Sequence, residues 1–416
     1  MNQQEGERGV AEIQGLYGPF SFPEKLLQQI WLRRDFDLTR ACTTDGRAVR
    51  VLHPGRWNRL GGPDFKQARI EIGGDFFSGD IELHLHESDW VAHGHSDDPA
   101  YEHVVLHVIL FPTTEPATIG CSGLRLPILP LLPLLNHDLE EYAADEAIER
   151  LADHPLAKVR GELLQMQPAQ LQAELLRMAA MRWEQKVHYA KMRVARLGWD
   201  AACHHTALEI LGYRFNRASM LAVATAHPLS EWGSAAVDFP ATIHARFNER
   251  WHRQSIRPAN HPLTRLHQYA RWVSYRPDWP QQLQRLSGKL PSLEITHAFQ
   301  TAAVRRAHRW PDLTKQLVYQ VFGDALGGTR LNTMICDGLL PLLASQPSAV
   351  ALSGLWFAWP PGDIPSKYGR LLRELGISDA RNRPLSHGIV QGLIGWLMAN
   401  DPADQPTCPT PAGSGA

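Results

Sequence analysis

The chain has 416 residues, 44% of them hydrophobic and 20% charged, with a net charge of −1. This is an ordinary soluble composition, long enough for two domains. The near-neutral total hides a split: residues 1–150 hold 13 Lys+Arg against 24 Asp+Glu, while 151–310 hold 22 against 11. Such asymmetry suits an acidic, cation-binding module joined to a basic one facing a polyanion, or two halves that simply attract each other. Five scattered cysteines without a Cys-x-x-Cys pair argue against a disulfide framework or a Cys-based zinc site. No apolar run approaches the roughly 20 residues of a membrane helix, and the N-terminus lacks a signal pattern. The chain therefore reads as cytoplasmic, with no membrane partner.

In chain order, residues 1–16 read as a loose leader. Ser21-Phe-Pro-Glu24 reads as a capping box, Ser21 as N-cap and Pro23 in the first turn. Leu26, Leu27, Ile30 and Trp31 supply the buried stripe of the helix that follows. Strands are expected at Arg47–Leu52, Ala68–Ile72 and Gly79–His86, the last two a hairpin with a slightly long loop about Gly73-Gly74. Val104–Leu110 reads as a central strand. Residues 17–137 thus form an α+β module with a small mixed sheet. Residues 138–400 read as an all-helical domain, with segments such as 206–212 and 216–226, and 401–416 as a disordered tail. The clearest helix runs from Met181 to Leu197. Trp183, Val187, Ala190 and Val194 share its core face; Arg182, Lys186, Arg193 and Arg196 share another. That basic face either holds a nucleic-acid backbone or is only solvated.

Chemistry concentrates at Asn58–Ile109. In Gly79-Asp-Ile-Glu-Leu-His-Leu-His86, successive side chains point to opposite faces of a strand. Ile81, Leu83 and Leu85 line one face; Asp80, Glu82, His84 and His86 line the other. Folding the hairpin places Asp64 opposite His84 to His86. Asp64, Glu82 and His84 then bracket one divalent cation, with His86 a further ligand and Asp89, His93 and His95 available from a following loop. Carboxylates suit Mg²⁺ or Mn²⁺, and imidazoles move the preference towards Mn²⁺, Zn²⁺ or Fe²⁺. Counting by twos puts Asp64 on the apolar side of its strand; a bulge near Lys66 would bring it round. A merely solvated acidic face is the other reading. His107, inside an apolar strand, reads as a hydrogen-bonded core residue, and Trp90 and Tyr101 as packing.

Asp64 with Glu82-x-His84 looks like the PD-(D/E)XK phosphodiesterase pattern, and helix, strand, hairpin, strand resembles the start of that fold. His84 stands where that pattern has Lys, and residues 88–102 leave little room for its usual helix. The whole chain resembles the bacterial domain-of-unknown-function family 2851. The residues that carry this are Gly61-Gly-Pro-Asp-Phe65, Gly79-Asp-Ile-Glu-Leu-His84, Ser88-Asp-Trp90 with His93 and His95, Tyr101 through Val108, Leu211-Gly-Tyr with Asn216, and Arg257-Pro-Ala-Asn260. The resemblance implies a two-part layout and no established activity. The leading expectation is a metal-dependent phosphodiesterase or nuclease, with Asp64, Glu82 and His84 catalytic, a Mg²⁺, Mn²⁺ or Zn²⁺ cofactor, and DNA or RNA as partner. Its rivals are a non-catalytic binding scaffold with a degenerate nuclease-like module, and a metalloprotein acting on a small ligand.

Overall fold

The computed structural model describes residues 10–15, 18–58, 61–153, 156–234, 236–254, 256–295, 301–347, 350–379, 381 and 383–400. The expected tail, and residues 1–9 and 16 of the expected leader, lie outside that set. Within the leader, Val10–Gly15 forms a strand, β1, paired antiparallel with Gly18–Pro23, β2. The fold is α+β, a mixed sheet followed by helices. Among the described residues no helix is long and apolar enough to cross a membrane.

The chain divides into two compact units, residues 1–143 with 204–277, and 144–203 with 278–416. The sequence suggested a single cut at 137/138. Instead the helical stretch 204–277 belongs with the sheet. The reason is long-range polar pairing. His137 Nε2 lies 3.2 Å from Glu209. Arg34 donates to the Glu249 carbonyl, and Arg250 donates back to the Arg34 carbonyl. Pairings this far apart in sequence, the two at Arg34 by 215 and 216 residues, leave no trace in local periodicity.

In the first unit, α1 (Glu24–Arg33) follows directly from β2. Its N-cap is Pro23, with no side-chain capping bond. The expected Ser21–Glu24 capping box is therefore not what starts the helix, since Ser21 still belongs to a strand. The remaining strands are β3 (Val49–His53), β4 (Arg56–Trp57), β5 (Phe65–Ile72), β6 (Asp75–His84) and β7 (Val104–Ile109). Beyond them come β8 (Thr118–Ile119), β9 (Arg125–Leu126) and β10 (Ile128–Pro130). The main sheet has the order β10-β7-β6-β5-β3, with β4 also on β5. β3, β5 and β6 form an antiparallel meander; β7 lies parallel to β6, and β10 parallel to β7.

Gly73 and Gly74 form a two-residue turn, tighter than expected, with φ of 63° and 99°. Both positive φ values match the turn that strand twist favours. One sheet face carries Phe65, Ile70, Ile81, Leu83, Leu106 and Val108, buried with Leu27, Ile30 and Trp31 of α1. The other carries Glu82, His84 and His107 beneath the crossover 85–103, which contains the short helix α2 (Asp89–Ala92). There Trp90, Tyr101 and Val104 form a smaller cluster.

Three helices follow: α3 (Leu139–Asp153), α4 (Ala157–Gln165) and α5 (Pro168–Leu197). α5 starts earlier than the sequence suggested, with Pro168 in its first turn. Its core face is Leu171, Leu175, Met178, Ala179, Arg182 and Trp183, while Val187, Ala190 and Val194 are only half-buried. α6 (Trp199–Ala226) has non-helical backbone at Tyr213 and Asn216. That break separates the two segments expected at 206–212 and 216–226.

Candidate metal centre

The hairpin register sets the site. Phe65 pairs with Ile81 and Ala68 with Gly79, so β5 holds one residue more than β6 over this stretch. The extra residue sits at Lys66-Gln67, where Gln67 has φ 58°, a β-bulge. The bulge moves Asp64 to the polar face, as the sequence required. Its partner differs from the expectation: Asp64 lies opposite Glu82, not His84 to His86, because the tight turn and the bulge together shift the pairing. The Asp64 backbone N–H donates to Glu82 Oε2 at 2.9 Å. The Asp64 carboxylate accepts from the Leu83 N–H at 3.1 Å and from the Gln28 amide at 2.6 Å. Gln28 in turn accepts from the Trp57 indole at 3.2 Å.

On the other side of Glu82 stand three imidazoles. Glu82 Oε1 lies 3.5 Å from His84 Nε2 and 3.2 Å from His95 Nε2. His93 Nδ1 lies 3.1 Å from His84 Nε2. One ligand atom each from His84, His93 and His95 falls within 4.8 Å of the others. The crossover places two of these rings. The Trp90 carbonyl accepts from the His95 N–H, and the Asp89 carbonyl from the His93 N–H. Tyr101 stacks on the His95 ring at 3.8 Å. The buried His95 Nε2 makes no aligned hydrogen bond among the described residues.

Burial explains the electrostatics. It pushes the Asp64 carboxyl up to about 8, with the Glu82 charge adding to the rise. Glu82 is also raised to about 8, again by burial, while Lys66 pulls it back. Glu24 rises to about 8 through burial and the charges of Asp64, Glu82 and Asp89. Burial drives His84 well below its ordinary value, helped by His107, His95 and His93, and takes His95 down to about 4. Crowded acids and neutral imidazoles thus meet, with Lys66 offsetting only part of the rise at Glu82. A divalent ion would relieve the carboxylate crowding and use the imidazole lone pairs.

The other expected ligands fall away. His86 is exposed and stacks on Phe111, because β6 ends at His84 and the chain turns. Asp89 accepts from the His86 N–H at 2.8 Å, a turn contact, and acts on the acids only through its charge on Glu24. The basic stripe also breaks up. Arg182 is buried, with Nε 3.3 Å from Gln391 Oε1. Lys186 pairs with Asp337 at 2.8 Å. Gln391 and Asp337 receive the first two of these side chains within the same unit, leaving Arg193 half-buried and Arg196 exposed.

Three neighbours escaped sequence reading. Glu24 and Gln28 sit one turn apart on α1, a spacing that also fits a solvated face. Lys66, two residues after Asp64, pairs with Asp80 at 2.9 Å from within the bulge.

A family described as "Protein of unknown function (DUF2851)" matches residues 24–247, and the chain belongs to it. No curated protein matches the chain. No solved structure matches it either.

Proposed function

We propose that this DUF2851 member is a metal-dependent phosphodiesterase acting on nucleic acid, its cation held by Glu82, His84, His93 and His95. One observation carries the reading: ligand atoms of His84, His93 and His95 lie within 4.8 Å of one another, with Glu82 Oε1 against two of them. A tetrahedral shell with metal–ligand distances of about 2.0 Å sets adjacent ligand atoms about 3.3 Å apart. Three of the six pairs among these groups stand at 3.1, 3.2 and 3.5 Å. Three imidazoles favour Zn²⁺, Mn²⁺ or Fe²⁺ over Mg²⁺. The bound cation would supply a Lewis acid and a water of lowered pKa. Asp64, oriented by Gln28 and the Leu83 N–H, adds a second carboxylate, and Glu24 a third.

The phosphodiester part rests on the order α1, meander, crossover, parallel β7, which is similar to the start of the PD-(D/E)XK arrangement. Asp64 and Glu82 fall on neighbouring strands as that pattern asks. His84 replaces its Lys, and Lys66 offers a cation beside Glu82. A second reading, a metalloprotein acting on a small ligand, draws on depth: Glu82 is 5% exposed and His84 0%.

The test is a titration of purified protein with Mn²⁺ and Zn²⁺, followed by incubation with single- and double-stranded DNA and RNA. Metal binding with metal-dependent cleavage, both lost in Glu82→Ala, is expected. Metal binding without cleavage of any nucleic acid would favour the small-ligand reading; no binding at all would remove both.

A further inference from the structure

We propose that Glu87, Thr118 and His107 form an outer shell that fixes the tautomer of His84, so that the Nε2 lone pair of His84 faces the centre. The inference deepens the metal-centre reading, and its functional consequence rests on that reading. Its geometry stands alone.

The contacts form one chain. Thr118 Oγ1 lies 3.4 Å from Glu87 Oε1, His107 Nδ1 2.7 Å from Thr118 Oγ1, and His84 Nδ1 2.9 Å from His107 Nε2. His93 Nδ1 closes it, 3.1 Å from His84 Nε2. His84 and His107 are fully buried and Thr118 nearly so. Each ring must therefore meet its hydrogen-bonding needs within the protein, and apart from Glu82 Oε1, 3.5 Å from His84 Nε2, the partners are those of this chain.

Direction follows from the end group. An ionised carboxylate only accepts, so the Thr118 hydroxyl donates to Glu87. The hydroxyl oxygen is then free to accept from His107 Nδ1–H. A neutral imidazole has one donor and one acceptor, so His107 Nε2 accepts from His84 Nδ1–H. That leaves His84 Nε2 unprotonated, and in the metal-free protein His93 Nδ1–H donates to it. The opposite polarity would turn the Thr118 lone pairs towards Glu87 and put a proton on His84 Nε2, where a cation cannot bind. Outer partners of this kind commonly orient a ligating histidine, and losing one costs about 10–100-fold in metal affinity.

The direct test reads the tautomer. In metal-free protein carrying ¹⁵N-labelled histidine, long-range ¹H–¹⁵N correlations report which nitrogen of His84 holds the proton. Nδ1–H is expected for both His84 and His107. Thr118→Val removes the acceptor while keeping the shape; His84 should move towards Nε2–H, and Zn²⁺ and Mn²⁺ affinity should fall 10–100-fold. Thr118→Ser should restore both. His84 found as Nε2–H in the wild-type protein would overturn the proposal, as would an unchanged His84 tautomer in folded Thr118→Val. A wild-type protein with His84 as Nδ1–H that binds neither metal would uphold the outer shell and sink the metal-centre reading.

Discussion

The sheet-containing unit holds two buried histidine–glutamate clusters, and they resolve burial in opposite ways. At His137, Glu141 lies 3.1 Å from Nδ1 and Glu209 3.2 Å from Nε2, and Arg217 pairs with Glu209 at 2.6 Å. Burial alone would lower the His137 pKa, but the two carboxylates outweigh it and lift it to about 10. Two acids meet two cations there, and the cluster is complete. At Glu82 the acids are driven up and the histidines down. Glu82 stands 3.2 Å from His95 Nε2, a nitrogen with no aligned hydrogen bond among the described residues. At His137 the carboxylates hold the imidazole charged in an ion-paired tie, whereas at Glu82 burial pushes both acids and imidazoles towards their neutral forms.

The sharpest way to break the comparison is to exchange the consequences of mutation. Glu82→Ala should abolish metal binding and metal-dependent hydrolysis while the metal-free protein stays folded, since removing a crowded acid relieves charge repulsion. His137→Ala should leave Glu141 and Glu209 buried without their partner and cost about 3–5 kcal/mol, with the metal dissociation constant of the folded fraction unchanged. Denaturant unfolding and metal titration of both variants measure this. A Glu82→Ala protein as destabilised as His137→Ala would make the candidate centre another structural cluster.

The pH dependence of stability sharpens the same contrast. Glu24, Asp64 and Glu82 are raised on folding. Their contribution is full below the unfolded carboxyl pKa and is lost as pH rises through about 8. His137 is also raised, so its contribution is full below about 6.5 and is lost as pH climbs through about 10. His84, His95 and His107 are lowered, so their contribution is present above about 6.5 and lost as pH falls. Above pH 6.5 the site histidines no longer change, and the remaining contributions decline together. The melting temperature of metal-free protein should therefore fall between pH 6.5 and 8.5. Mn²⁺ or Zn²⁺, which binds the ionised carboxylate, should raise it more at pH 8 than at pH 6. A metal-induced shift equal at both values would mean that Glu82 does not ligate.

Much of the centre was legible because a strand has a period of two. Glu82 and His84 had to share a face, and the parity conflict at Asp64 pointed to the bulge at Lys66-Gln67. What stayed hidden depends on contacts that period cannot encode. His86 fell away because β6 stops at His84. His93 and His95 reach the centre through a fold of the crossover fixed by Trp90 and Tyr101. Glu24 and Gln28 come from another element altogether. His107 was read as a hydrogen-bonded core residue, and it is one; its partners, His84 and Thr118, needed the parallel pairing of β6 with β7. The basic stripe misled for the converse reason. Helical periodicity groups Arg182 with Lys186, but which face meets the core depends on the partner helix, and Gln391 and Asp337 receive those two side chains.

That correction yields the smallest expected effect. Because Arg182 and Lys186 serve their own unit, Arg193 and Arg196 alone remain of the stripe. Two phosphate contacts would contribute about 1.4 to the slope of log affinity against log salt on a single strand, at about 0.7 each. Arg193→Glu with Arg196→Glu should leave that slope within about 0.5 of wild type, as a solvated face requires. Lys186→Glu is unsuited to the question, since it sets a carboxylate beside Asp337 and should destabilise the unit whether or not nucleic acid binds. Filter-binding isotherms at three salt concentrations decide. A slope lowered by more than one unit in the folded double variant would return the end of α5 to a nucleic-acid surface.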